Sequence, residues 1–115
     1  MSGIRSPLDV VIADRFAARL KGMLGHRQWP ADRLLWLIPC WAVHTFGLKA
    51  PIDVAFLARD GTVVRIIAAL APRRVALCWS AHSALELAAG GAHAIDLELR
   101  MRWPHRSVSF RRPLR

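Results

Sequence analysis

Two pairs of metal-ligating residue types repeat the same spacing in the chain. Cys40 and His44 are four residues apart, and Cys78 and His82 repeat that interval. Residues i and i+4 of a strand point to one face, so two such pairs on neighbouring strands could supply a tetrahedral zinc site. Zinc sites usually hold their cysteines within a few residues of each other, whereas these two are 38 apart. We therefore predict no metal and no other cofactor, with both cysteines as small buried thiols.

A second set of polar residues stands among apolar ones: His44, Thr45, Lys49, Asp53 and Glu86. If buried, such groups must find hydrogen-bond partners. One interpretation is a polar cleft for a small ligand, and the other is a set of hydrogen bonds that fix strand corners. An enzyme would use His44 with Asp53 or Glu86 as acid–base groups, because histidine titrates near neutrality. No nucleophile–base–acid set emerges, so catalytic residues stay unassigned.

The charge is concentrated at the C-terminus. The chain has a net charge of +9, and residues 100–115 hold six arginines and no acid. Such a segment attracts nucleic acid, an anionic surface or an acidic protein. Few aromatic residues accompany it, so we expect weak, salt-sensitive nucleic-acid binding with little sequence preference. The candidate anion-binding residues are Arg100, Arg102, Arg106, Arg111 and Arg112.

Apolar alternation predicts the elements of the first half. Leu8 to Ile12 alternates like a strand, and helical spacing from Asp14 to Gly25 predicts one short helix. A loop over 28–33 and a buried strand over 34–38 follow, and Pro39 ends that strand. Asp60-Gly61, between apolar runs at 53–58 and 62–70, predicts a hairpin with a type I′ turn.

The second half predicts short strands over 75–79 and 84–87. Leu97, Leu99, Met101 and Trp103 alternate with polar residues, which predicts a strand with one buried face and Arg100 and Arg102 outward. Val108 and Phe110 would form a strand returning beside it, making a basic C-terminal hairpin. The pattern predicts a mainly β, sandwich-like or closed sheet; the alternative is an α+β domain with a helix near 81–87.

Length and composition indicate one domain over residues 1–115. Apolar residues make up 54% and charged residues 22%, as in globular proteins. The longest apolar stretch, 34–48, is too short to cross a bilayer. The N-terminus lacks a basic segment followed by an apolar one, so we expect no secretory signal and a cytoplasmic protein.

Four segments in order resemble the bacterial and archaeal family called domain of unknown function 192. Residues 20–26 look like its early R-G-L-M-x-R helix, and 39–48 like its motif P-C-x-x-[IV]-H-T-F-G-M. Residues 51–63 match P-[IL]-D-x-x-F-[IL]-x-x-D-G-x-V, and 84–90 look like V-L-E-L-P-A-G. The resemblance covers a core of about 8–103 and leaves 104–115 as a basic extension. Leu48 and Ala88 depart from the pattern. Only residues 93–96 remain of the short helix and G-D turn that the family usually has after the glycine, so we expect that corner to be shortened.

The resemblance implies a compact sandwich or jelly-roll fold and no established activity, with a weak link to pilus or secretion machinery. Three functions stay open. The first is a non-enzymatic binding or accessory domain that engages a protein or small molecule through the corner from His44 to Asp53. The second is nucleic-acid or anionic-surface binding through the C-terminal hairpin. The third is the small enzyme using His44. We favour the first.

Overall fold

The computed structural model describes residues 7–13 and 33–112. Strands dominate this part of the chain, and one helix of a single turn accompanies them. In chain order the elements are β1 (Leu8–Ala13), β2 (Arg33–Leu37), β3 (Ala42–His44), β4 (Ile52–Leu57), β5 (Val63–Leu70), β6 (Val75–Leu77), β7 (Ser83–Ala88), α1 (Gly91–Ala94) and β8 (Val108–Arg111).

Six strands form one mixed sheet in the order β5-β4-β7-β2-β1-β8. β1 is parallel to both β2 and β8, and the other neighbours are antiparallel. β3 and β6 pair separately as an antiparallel ribbon of two short strands. The mainly β, sandwich-like prediction is confirmed. No helix in the described ranges is long and apolar enough to span a membrane.

The six-stranded sheet buries both of its faces. Along the central strand β7, Leu85 and Leu87 belong to one apolar cluster, which we call the first core, and Ala84 belongs to the second core. α1 and the segment after it cover the first core with Ile95, Leu97 and Trp103. The β3–β6 ribbon covers the second core with Val43 and Ala76. Burial on both faces explains why β4 is buried at every position.

The hairpin predicted at Asp60-Gly61 is confirmed, since β4 and β5 pair antiparallel across it. The predicted type I′ turn is wrong. Gly61 has φ of 91°, but Asp60 is not among the residues with positive φ, and the Gly61 N–H donates to the Ala58 carbonyl at 2.9 Å. This is a type I turn followed by a glycine in the left-handed region, which also forms hairpins. A side chain at Gly61 would collide with the Trp103 carbonyl.

Other predicted strands are confirmed by β1, β2, β6 and β7, so the alternative helix near 81–87 is wrong. The predicted N-terminal helix at 14–25 and residues 28–32 of the predicted loop at 28–33 lie outside the described residues, and Arg33 belongs to β2. The corner expected to be shortened holds a helix of one turn, α1, which begins directly after the left-handed Gly90.

The predicted strand over 97–103 is wrong. The segment is a series of turns, with φ of 72° at Arg100, and only Arg102 forms a strand-like bridge, to Thr62. Leu97 and Trp103 are buried, but Leu99 is 57% exposed. The alternation is misleading because the segment crosses over the first core in turns. Within the described residues, its backbone hydrogen bonds to the sheet edge are confined to residues 61–63, at the start of β5, and it forms no regular strand. β8 is present, yet it pairs with β1, so the predicted C-terminal hairpin is also wrong.

Candidate binding surface

Thr45 is buried, and its hydrogen bonds connect the end of β3 to the loop before β6. Its hydroxyl donates to the Ala71 carbonyl at 2.7 Å and accepts the Arg74 N–H at 2.8 Å. Its backbone N–H donates to the Arg74 carbonyl at 2.8 Å, and its carbonyl accepts the Arg73 N–H at 3.3 Å. With donor and acceptor both engaged inside the protein, this hydroxyl has a structural role.

Asp53 is a buried carboxylate that accepts three backbone N–H groups. One oxygen binds the N–H of Ala69 at 2.9 Å, and the other binds those of Gly90 and Ala92 at 3.1 and 3.0 Å. Ala69 lies in the left-handed region at φ 52°, beside an irregularity in the β4–β5 register. Gly90 precedes α1 and has no side chain to cap it. Asp53 therefore ties the β5 irregularity and the start of α1 to the central sheet.

Glu86 lies on the opposite face of the sheet from Asp53. Its register partners are Leu35 on β2 and Val54 on β4, both in the second core, whereas Asp53 pairs with Leu87 of the first core. Among the described residues, no hydrogen bond or ion pair reaches the Glu86 carboxylate. Burial without a partner disfavours the ionised form and raises the pKa of Glu86 to about 7.

The five residues of the predicted polar cleft are therefore not brought together. Thr45, Asp53 and Glu86 are buried at three separate places, and the side chains of His44 and Lys49 are exposed. The His44 Nδ1 accepts the N–H of Phe46 at 3.3 Å. The acid–base hypothesis requires a contact between His44 and either Asp53 or Glu86. No hydrogen bond in the described part of the chain makes that contact.

Of the two Cys–His pairs, Cys40, Cys78 and His82 lie at one end of the β3–β6 ribbon and His44 lies at the other, so the four do not form a cluster of ligands. The Cys40 N–H donates to the His82 carbonyl at 2.8 Å, while the Cys40 thiol faces the Ala42 carbonyl at 3.1 Å. Cys78 is half-buried with its sulfur 3.6 Å from the Ser80 hydroxyl. Over residues 7–13 and 33–112, no three His, Cys, Asp or Glu side chains group as a metal site.

The arginines near the C-terminus are divided between two edges of the sheet. The Arg100 N–H donates to the Val63 carbonyl at 2.8 Å, which places it and Arg102 beside β5. Arg111 lies on β8, at the far edge, where it pairs with Asp9. Arg102 also has an acid nearby, Asp60 at 3.4 Å. The single basic surface predicted from the sequence is therefore wrong, because it depended on the C-terminal hairpin.

An exposed apolar surface lies instead over the β3–β6 ribbon. At one end of the ribbon Trp41 and Trp79 stack, with ring centroids 4.5 Å apart and planes 26° from parallel. At the other end the Phe46 ring lies 5.7 Å from that of His44. Val75 and Leu77 are exposed between the two ends. We call this group the aromatic surface: Trp41, His44, Phe46, Val75, Leu77 and Trp79.

The exposure on this surface is large for such residues. Trp79 is 77% exposed, Phe46 57% and Trp41 41%. Contiguous exposed apolar side chains commonly mark a place where a protein binds something. Sequence reasoning missed this surface, although each tryptophan directly follows a cysteine, in Cys40-Trp41 and Cys78-Trp79. That repeated pair was the available signal.

Basic side chains flank the aromatic surface. The Arg65 guanidinium donates to the Leu77 carbonyl at 2.6 Å, near the tryptophan end. Arg73 and Arg74, both exposed, are bonded through their backbone to Thr45, near the Phe46 end. Residues 33–52 and 61–85, which build the surface, contain no acid. The surface thus combines exposed aromatic rings with positive charge at both ends.

Two solved structures share the fold of this chain. One is a putative transcription regulator from Sinorhizobium meliloti 1021, with 24% identity, a TM-score of 0.68, and coverage of 81% of this chain and 78% of that one. The other is a protein of unknown function from Novosphingobium aromaticivorans DSM 12444, with 17% identity, a TM-score of 0.69, and coverage of 81% and 71%. At these identities the likeness concerns the fold alone. No curated protein matches the chain.

The family comparison covers most of the sequence. Residues 1–103 match the model of the family DUF192, described as an uncharacterized ACR. The match includes the residues around Thr45, Asp53 and Glu86 and ends at Trp103, before β8. The chain belongs to the DUF192 family.

Proposed function

We propose that this protein is a non-catalytic binding domain that holds its ligand on the aromatic surface. The observation that carries the proposal is the exposed stack of Trp41 and Trp79. Tryptophan and arginine are the residue types most enriched where binding energy is concentrated. A buried core residue cannot contact a ligand, whereas Trp79 leaves one broad ring face open to solvent.

The positions of the polar residues support binding over catalysis. Thr45 and Asp53 use their polar atoms on backbone groups within the protein. Glu86 is enclosed between apolar residues of β2 and β4. A general acid or base must reach the substrate within hydrogen-bond distance, and these buried groups do not offer that access. His44 alone lies on the aromatic surface, where it can contribute a hydrogen bond or a ring contact.

The energetics also support this location. Each aromatic side chain can bury on the order of 150–250 Å² on binding, and apolar burial contributes about 25 cal/mol per Å². Trp79 and Phe46 could each supply a substantial part of a binding free energy without any change of the fold. The C-terminal arginines are a weaker candidate, because Arg102 and Arg111 are placed near Asp60 and Asp9 at opposite edges. A cytoplasmic location remains part of the proposal, and cell fractionation tests it.

Chemical-shift mapping tests the proposed location. The ¹⁵N-labelled protein is titrated with short single-stranded DNA, phosphatidylglycerol vesicles and an acidic peptide in separate experiments. The expected result is that any probe that binds perturbs the amides of residues 41–46 and 73–79. Perturbations confined to the surroundings of Asp53, or to residues 100–112, would contradict the proposal.

Side-chain truncation provides the matched control. Trp79→Ala removes the most exposed ring of the surface, whereas Leu99→Ala removes an apolar side chain elsewhere that is 57% exposed. We expect Trp79→Ala to weaken binding and Leu99→Ala to leave it unchanged. Equal effects of the two substitutions would show that binding arises from non-specific apolar contact rather than from the aromatic surface.

A further inference from the structure

We infer that the ligand of the aromatic surface is single-stranded nucleic acid; this inference rests on the proposed function. Unpaired bases stack on the rings at the two ends of the ribbon, and the phosphates lie against the flanking arginines. The inference comes from the juxtaposition of open ring faces, positive charge at both ends and an absence of acids in the segments that build the surface.

The stack of Trp41 and Trp79 offers the first base its platform. The two rings are near parallel and in van der Waals contact, so Trp41 supports one face of Trp79. The other face of Trp79 is open, as its 77% exposure shows. A flat ring held from behind loses little freedom when a base stacks on it, and such stacking is largely independent of base identity.

The second platform lies at the opposite end of the ribbon. Phe46 is exposed there and is in contact with the His44 ring. Val75 and Leu77 lie between the two platforms and offer apolar contact to the sugars of a strand that follows the ribbon. Two separated aromatic sites joined by an open strip match the alternating base and backbone of an extended strand.

Arginines lie where the phosphates of such a strand would pass. Arg65 is held beside Leu77 by its hydrogen bond to that carbonyl, which orients the guanidinium in advance. Arg73 and Arg74 adjoin the Phe46 end. Lys49 is exposed in the acid-free segment 33–52, which also contains Phe46. Guanidinium groups bind phosphate oxygens through several N–H donors at once, which favours this arrangement over one with scattered point charges.

Other occupants fit these features less well. Bases in a duplex have both ring faces covered by neighbours, so a duplex cannot stack its bases on the open ring faces of Trp79 and Phe46. A second copy of this chain would bring arginines against arginines. An anionic membrane would use the same charges, but membrane contact needs no flat ring face supported from behind as Trp79 is.

The salt dependence follows from the number of phosphates. Contact by three or four cations predicts that log K falls with log salt at a slope of about −2 to −3, given about 0.7 per phosphate of a single strand. Stacking adds a component that salt does not remove. We therefore expect measurable affinity at moderate salt and little dependence on sequence.

Fluorescence anisotropy with labelled oligothymidylate tests the inference, using the same sequence annealed to its complement as the duplex control. We expect the single strand to bind at least tenfold more tightly than the duplex. Trp79→Ala should weaken binding about tenfold or more, Trp79→Phe should keep most of the affinity, and Leu99→Ala should change nothing. Arg65→Gln should make the salt slope shallower by about 0.7. Thermal unfolding of each variant confirms that it is folded.

The outcomes separate this inference from the proposed function. Binding of duplex and single strand with equal affinity, or single-strand binding that Trp79→Ala leaves intact, would overturn the inference. Binding to phosphatidylglycerol vesicles that depends on Trp79, with no binding of oligothymidylate, would overturn the inference and leave the proposed binding surface in place. Binding of every probe unaffected by Trp79→Ala would overturn both.

Discussion

In the segment from Trp41 to Asp53, the usual placement of polar and apolar side chains is reversed. Thr45 and Asp53 are polar and buried, whereas Trp41 and Phe46 are apolar and exposed. The buried polar atoms have hydrogen-bond partners in the backbone, so they stabilise the fold. Within residues 7–13 and 33–112, the exposed rings of the aromatic surface make ring contacts only with each other and with His44, so no ring packing in this part of the chain explains them.

A polar residue in a sequence motif therefore need not belong to a binding site. Asp53 holds together β4, the β5 irregularity and α1, which are distant in sequence. Thr45 holds the ribbon to the loop that leads into β6. Together they fix the scaffold on which Trp41 and Trp79 are displayed. Substitutions on the two sides should therefore separate stability from binding.

The largest effect should follow from Asp53→Ala. The substitution leaves three backbone N–H groups without their acceptor, and we expect a loss of about 3 to 5 kcal/mol in the free energy of unfolding. Urea denaturation measures this loss. Asp53→Asn is the matched control, because its amide oxygen still accepts some of these bonds, and it should cost clearly less. A loss below about 1 kcal/mol for Asp53→Ala would break the structural interpretation of this carboxylate.

The second effect concerns Glu86, the buried carboxylate without a partner among the described residues. Its pKa is raised to about 7, from an ordinary value of 4.5, because burial penalises the charged form. The folded protein therefore holds this proton more tightly than the unfolded chain does. Stability contributed by Glu86 is greatest at low pH and declines as the pH rises from about 4.5 through 7.

Glu86→Gln removes this titration while keeping the shape of the side chain. Between pH 4.5 and pH 8, the free energy of unfolding of the variant should rise relative to the unsubstituted protein by about 3 kcal/mol, the equivalent of the shift. Denaturation curves across this pH range measure the difference. Destabilisation by Glu86→Gln at pH 8 would show that a cation stabilises the carboxylate, contrary to our account.

A smaller effect is expected from Thr45→Val, which keeps the shape and removes the hydroxyl. The Arg74 N–H and the Ala71 carbonyl would each lose a partner, at a cost of about 2 kcal/mol. Thr45→Ser retains the hydroxyl and should lose less than half as much. If the serine and valine variants were equally unstable, the methyl group rather than the hydrogen bonds would be responsible.

The smallest effect on stability should come from Trp79→Ala. The ring is mostly exposed, and its principal described contact is the stack with Trp41, so we expect a loss of about 1 kcal/mol or less. Thermal unfolding measures it. A loss as large as that of Thr45→Val would mean that Trp79 serves the fold, and the contrast between scaffold and surface would fail.

Local signals in the sequence were sufficient for much of the fold. The Asp60-Gly61 turn between two apolar runs identified β4 and β5, because turn preference and strand pattern agree there. The alternation from Leu97 to Trp103 was misleading, because a cover segment can bury Leu97 and Trp103 while turns expose Leu99. Periodicity reports which side chains are apolar, and it does not report whether a strand partner exists.

The candidate site depended on long-range pairing that the sequence does not contain. Trp41 and Trp79 are 38 residues apart and meet only because β3 and β6 pair outside the main sheet. Likewise, Asp53 and Glu86 look like members of one site until the register places them on opposite faces. A strand residue's face follows from its register, and register depends on the whole sheet.

Measuring stability and binding on the same two variants shows whether the scaffold and the aromatic surface have separate roles. Trp79→Ala represents the aromatic surface, and Asp53→Asn represents the scaffold on the other side of the sheet. Unfolding free energy and the dissociation constant for oligothymidylate are measured for both at a temperature where both are folded. We predict that Trp79→Ala loses at least tenfold in affinity at nearly unchanged stability, and that Asp53→Asn loses stability at nearly unchanged affinity. Loss of affinity in Asp53→Asn, with Trp79→Ala binding normally, would contradict the account.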